Sequence, residues 1–229
     1  MEIVAAINRT KYDVFRWRYE LSIPKKLVMA VGMAALTGLV AQISFHIPIT
    51  PVPITGQTFA VLLAGVLLGK RWGGVSLGIY GGLGVIGLPW FAGWSSGIGV
   101  LTGATGGYLI GFIFAAIFLG HFTDKYVRSR SFLSMFVLML FANFVLIHGP
   151  GLLWLNSFAY EAWPGASALG LGPYEERGLL ALLMVGTIPF VVGDIVKAAA
   201  AAVIVRGVTP KQAYNGEVDK DKWANWRIP

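Results

Sequence analysis

The chain has 229 residues, 56% of them hydrophobic and 13% charged, against roughly 25% charged in an ordinary soluble domain. With a mean hydropathy of +0.69, that composition excludes a disordered chain, argues against a soluble enzyme, and describes a polytopic, all-α integral membrane protein of one domain. The formal charge of +7 would point to nucleic acid in a soluble protein, but here the basic residues stand between apolar blocks, so topology accounts for them and no nucleic-acid partner is expected.

Residues 1–24 read as a mixed-charge arm with no evident secretory signal. Residues 25–206 hold the membrane domain, and charge-free stretches mark six spans in it, at about 27–45, 57–69, 73–88, 107–122, 132–155 and 179–205. The second span is short: at ~1.5 Å per residue it covers only part of a ~30 Å hydrocarbon core. The preceding Ile47-Pro48-Ile49-Thr50-Pro51-Val52-Pro53-Ile54-Thr55 is expected to make up the difference as extended chain. Such backbone cannot face lipid, so it should be buried or line a cavity. Residues 207–229 are a tail.

Lys and Arg sort the loops. The arm is basic, as are Lys70-Arg71, the Lys125–Arg130 loop and the tail; the loops between them are basic-poor. The alternation holds throughout, and the positive-inside rule then places both termini in the cytoplasm and three loops outside. The outer loop Pro89-Trp90-Phe91-Ala92-Gly93-Trp94-Ser95-Ser96-Gly97-Ile98-Gly99, continuing to Gly106, is aromatic, glycine-rich and uncharged. That composition suits a lid over an apolar pocket; an interfacial aromatic belt is the competing reading.

Several short motifs lose to simpler accounts. Gly82-Leu83-Gly84-Val85-Ile86-Gly87 matches a dinucleotide fingerprint but lacks the strand, helix and acidic residue such a site needs. Gly74, Gly78 and Gly82 instead form one helical stripe suited to close helix packing. Gly93-Trp94-Ser95-Ser96-Gly97 matches a nucleophile elbow. Its base would have to be His46 or His148, however, and the sixth span carries no histidine. No Walker A, no H-E-x-x-H and no cysteine occur, so no ATPase motif, metal site or cofactor is expected. Ala30 and Ala34, followed by Gly38, make a small-residue stripe on the first span; pattern alone favours internal packing over a partner-docking face.

The strongest constellation is Pro189-Phe190-Val191-Val192-Gly193-Asp194-Ile195-Val196-Lys197. Asp194 and Lys197 share a helical face at i and i+3. Each costs on the order of 2.5–3.5 kcal/mol at mid-span on insertion scales, so they read as a functional pair, with a structural ion pair as the alternative. Pro189 and Gly193 should loosen the helix and free a carbonyl. Asn143 on the fifth span and Gln57 opening the second lie at similar depth. Asp194 can accept ligand N–H groups and Lys197 can donate to a carbonyl or carboxylate. Tyr80, Trp90, Trp94 and Tyr108 are available for stacking, so the expected ligand is a small amphipathic ring compound.

These residues carry a resemblance. Thr50-Pro51-Val52-Pro53-Ile54-Thr55-Gly56-Gln57-Thr58, Leu62 to Gly69, Gly87 to Gly93, Gly103 to Phe112, Gly151-Leu152-Leu153-Trp154-Leu155 and Gly193-Asp194…Lys197 together resemble the BioY family, in order over about residues 27–206. These are the biotin-specific substrate-binding (S) components of energy-coupling-factor (ECF) transporters. The resemblance implies a six-helix S-component fold in a prokaryotic cell membrane, biotin as ligand, and a complex with one transmembrane coupling subunit and two ATPase subunits. It implies that Asp194 and Lys197 are polar ligand contacts, and that the stripe through Ala30 and Ala34 is a docking motif. The arm, the tail and the long Glu161–Arg177 loop lie beyond what it explains. Rival readings are an S component for another vitamin and a proton-coupled carrier titrating Asp194, although no inverted repeat supports a carrier.

Overall fold

The computed structural model describes residues 2–158, 179–214 and 216–219. Helix α1 (Glu2–Glu20) leads into α2 (Ile23–Ala41), whose first turn holds Pro24, where the missing N–H has no partner to lose. A short antiparallel ladder follows, β1 (Ser44–Phe45) against β2 (Ile54–Thr55), with Ser44 opposite Thr55. Next come α3 (Gln57–Val85), α4 (Ile98–Thr102) and α5 (Gly106–Lys125). Then α6 (Phe132–Phe141) runs through a π-turn (Ala142–Ile147) into α7 (His148–Phe158). Finally α8 (Leu179–Gly186) passes through a 3-10 turn at Ile188–Phe190 into α9 (Val191–Val208).

Among the described residues, five helical runs are long and apolar enough to cross a membrane. One of them, α3, is folded double. Gly69 sits at φ 80°, ψ 176°, inside the helix, a conformation glycine adopts without a Cβ penalty. A Cβ on Gly73 would lie 2.8 Å from Gly65 Cα, and the Gln57 amide bonds the Tyr80 hydroxyl. Along a straight helix Gln57 and Tyr80 would be ~35 Å apart. The two halves therefore form a tight antiparallel hairpin, which is how the sequence's second and third spans are realised. Helix α5 packs into that hairpin, with Gly74 against Ile117. Gly78 and Gly82 have no neighbour within 4 Å where a Cβ would stand, so the expected glycine stripe packs only at Gly74.

Helix association in lipid rests on close packing rather than on expelling water, and small residues mark the contacts here. Ala30 and Ala34 are fully buried inside the chain, on the face of α2 that packs on α3. That corrects the docking expectation for these two residues: a surface for another protein has to be exposed, and theirs is already filled. The outward faces of the spans carry Val28, Leu39, Phe114, Val137, Leu153 and Val203, as lipid contact requires.

The arm and tail are structured at the basic end of the bundle. Arg18 donates through Nη1 to the Val66 and Leu67 carbonyls and through Nη2 to Asp124 Oδ1 at 2.7 Å. Asp124 also takes the Lys70 N–H at the hairpin apex and the Tyr19 hydroxyl. Burial raises the Tyr19 phenol's pKa, which keeps it a donor. Arg130 pairs with Glu217 of the tail at 2.7 Å, both side chains buried, and donates to the Thr123, Pro210 and Gln212 carbonyls. Val127 and Arg128 N–H groups donate to Asp219. The Glu161–Arg177 loop lies outside the described residues.

Candidate functional site

At the basic-poor end of the bundle, the break before α9 creates the site. The 3-10 turn holding Pro189 hands the Phe190 N–H to Thr187 O and leaves the Gly186 carbonyl to side chains, as the sequence anticipates. Tyr108 Oη–H donates to it at 2.7 Å, and His148 Nδ1 lies 3.0 Å away. One turn into α9, Asp194 is buried and faces four partners. Lys197 Nζ stands 2.6 Å from Oδ1 and Thr58 Oγ1 3.3 Å. Asn143 Nδ2 donates to Oδ2 at 2.8 Å, and His148 Nε2 lies 3.0 Å from the same oxygen. A carboxylate offers about four lone-pair sites, so all of them are engaged. A ligand N–H reaches Asp194 only by exchange, and the longest contact, Thr58, is the one most easily exchanged. Lys197 also donates to Thr55 O at 3.0 Å, which leaves one of its three N–H bonds.

Above this floor lies a cavity of about 50 Å³, walled by Val52, Tyr108, Phe112, Phe190 and the polar groups of Thr58, His148, Asp194 and Lys197. It shares Pro53, Gln57, Thr105 and Leu109 with a second cavity of about 260 Å³. Phe91, Ala92, Ser95, Gly99 and Val100 of the uncharged loop roof the second one. The loop therefore covers a cavity, as its composition suggests. The Pro-rich stretch lines both cavities through Pro53, with Thr50 and Val52 buried and Pro48 and Ile49 exposed.

The structure brings together Asp194, Lys197, Asn143, Gln57 and Tyr108. It does not bring the other aromatic candidates into the cavity. Tyr80 is buried between Trp90 and Phe91, and its hydroxyl is held by Gln57. Trp90 packs on Gly38 and donates Nε1–H to Tyr80 O at 2.9 Å. Trp94 is 65% exposed. Tyr80 and Trp90 tie the lid to the bundle through their bonds to Gln57 and to backbone, and Trp94 through its backbone N–H, which donates to Gln42 Oε1. Conversely, sequence reasoning missed His148 and Thr58. On an α-helix, His148 would stand about 140° around from Asn143; the π-turn between them packs more residues into each turn and brings i and i+5 onto one face. Thr58 could have been found from its place next to Gln57.

A model of the BioY family matches residues 13–213. The chain belongs to the BioY family. The match extends into α1 and the tail, beyond the 27–206 range carried by the sequence motifs. A protein of Methanothermobacter thermautotrophicus named "Probable biotin transporter BioY" is 46% identical over 167 residues, 73% of this chain and 100% of that one. The "Biotin transporter BioY" of Thermotoga maritima is 34% identical over 79% of this chain and 93% of its own. Among solved structures, the S-component for biotin from an ECF-type ABC transporter superposes with a TM-score of 0.66 at 26% identity, covering 81% of this chain and 93% of that one. BioY membership, this S-component neighbour and the apolar helices together make the chain a multi-pass membrane protein of a transporter family.

Proposed function

We propose that this chain binds biotin from outside the cell and serves as the substrate-specificity subunit of an ECF-type importer in a prokaryotic cell membrane. Six crossings with both termini in the cytoplasm fit the fold. The Gly69 hairpin puts Lys70 and Arg71 at the same end as Arg130 and the tail, and the site at the other. Transport energy comes from partners, one transmembrane coupling subunit and two ATPase subunits, since the sequence carries no Walker A of its own.

The observation that carries the reading is the polar floor under an apolar, roofed cavity in a chain of this family. Biotin joins a carboxylate tail to a ureido ring with two N–H groups and a carbonyl. Lys197 has an N–H left for a carbonyl or carboxylate, Asp194 can take a ureido N–H in exchange for Thr58, and Tyr108, Phe112 and Phe190 suit the apolar part. Detergent-purified protein should bind biotin at micromolar concentration or below without ATP, in competition against thiamine and riboflavin. No biotin binding, with one of the other vitamins bound instead, overturns the substrate assignment and leaves the family intact.

A further inference from the structure

Helix α1 presents an apolar stripe that the described chain leaves uncovered. At about 100° per residue, Ile3, Ile7, Val14 and Trp17 fall within about 80° of arc, and all four are exposed. The rotation of the helix is fixed from a neighbouring face, with Phe15 about 80° around from Ile7 and about 160° from Trp17. Phe15 is buried, Arg18 is tied to the Val66 and Leu67 carbonyls and to Asp124, and both Arg18 and Arg130 stack on the Phe15 ring, at 4.0 and 4.3 Å from its centroid. Holding Phe15 and Arg18 against the bundle leaves the stripe turned outward.

The stripe is also continuous with a surface whose environment is known. Val14 and Trp17 line a groove of about 370 Å³ together with Met29, Gly32 and Leu36 of α2, and its floor reaches Val66 to Leu68 of α3. That flank of α2 continues through exposed Leu39, the lipid-facing side of a membrane span. Charge agrees: residues 2–26 hold six basic and three acidic side chains, with Lys70 and Arg71 exposed at the same end. Tryptophan in such a stripe is typical of the headgroup level, and an apolar helical face with a basic surround is the signature of a helix lying in the interface.

We propose that α1 lies along the cytoplasmic leaflet of an anionic bilayer, with Ile3, Ile7, Val14 and Trp17 immersed at the headgroup–acyl boundary and the surrounding Lys and Arg side chains on acidic headgroups. The side of the membrane rests on the topology proposed above; the immersion does not. The occupant is lipid because the stripe runs without interruption into a lipid-facing flank.

The chain has no cysteine, so single spin labels report cleanly. Ile7→Cys, Val14→Cys, Asp13→Cys and Arg16→Cys are labelled in the full chain and reconstituted in phosphatidylcholine vesicles with and without phosphatidylglycerol. Biotin binding is measured on each preparation. The ratio of oxygen to nickel-chelate accessibility should be at least threefold higher at positions 7 and 14 than at 13 and 16, and should rise with phosphatidylglycerol. Equal aqueous exposure at all four positions in preparations that still bind biotin overturns the immersion. Immersion unchanged by phosphatidylglycerol overturns the headgroup assignment. Protection of positions 7 and 14 only after the coupling subunits are added assigns the stripe to a protein and overturns the proposal. Loss of biotin binding by the unlabelled wild-type chain would count against the substrate reading alone.

Discussion

Two buried ion clusters sit at opposite ends of this bundle, and they differ in what they face. At the basic end, the Arg130 side chain is 1% exposed and four of its five N–H bonds go to three carbonyls and Glu217, whose oxygens also take the Tyr214 N–H. Neither residue lines the site cavities or the groove beside α1. At the other end Lys197 is 18% exposed, keeps a free N–H, and lines a cavity with Asp194. A buried ion pair is weak evidence of stabilisation in itself; what separates the two is whether the pair is closed. A pair sealed inside the protein ties chain segments together, and a pair with a donor facing a cavity suits a ligand. By that criterion Asp194–Lys197 leans towards binding and Arg130–Glu217 towards architecture.

The largest effect should come from breaking the sealed cluster. Arg130→Met strands Glu217 in a buried site, at a cost of ~3–5 kcal/mol, seen as a fall in Tm, while the biotin Kd of the folded fraction stays within about twofold. A large Kd change there would erase the distinction. Next, Asp194→Asn should weaken biotin binding and lower Tm. Adding Lys197→Met should restore Tm but leave Kd ten- to hundredfold weaker, as expected for ~1.5–3 kcal/mol of charged hydrogen bonding. A double variant that binds like wild type makes this pair structural too. Gly69→Ala, which places a Cβ at φ 80° and 2.7 Å from Asp124 Oδ2, should cost ~1–3 kcal/mol in stability without a specific loss of affinity. The smallest effect belongs to Trp94→Ala, with Kd within about twofold of wild type by equilibrium binding, because that ring stands outside the cavity.

The same contrast explains what could be read from the sequence. The spans were legible because charges interrupt apolar runs at Lys70-Arg71, Lys125 and Arg206, and Asp194–Lys197 because two charges in such a run stand out. His148 was hidden by a local change of helical pitch, which residue identities do not announce. Tyr80 and Trp90 were misplaced because an aromatic side chain suits a pocket wall and a lid anchor equally well, and only their hydrogen-bond partners decide; Trp94 stands exposed. Ala30 and Ala34 show the same ambiguity for small residues, which permit close approach without saying to what. The arm and tail gave only their charge and the side it implies, not their structure, since their partners are distant in the chain: Arg18 meets Asp124, and Arg130 meets Glu217.

The fold-back at Gly69 also bears on how the chain enters its membrane. The first half of α3, Gln57 to Leu68, is about 18 Å long, well short of a ~30 Å core, so it is a poor candidate to partition alone as it leaves the ribosome. Its return half follows after a one-residue turn, and the two are already in contact at Gly65 and Gly73. Integration is therefore expected to await synthesis of the second half, with the pair moving laterally into lipid as one wedge. On the topology proposed above, Lys70 and Arg71 stay on the side of synthesis and set which way that wedge points.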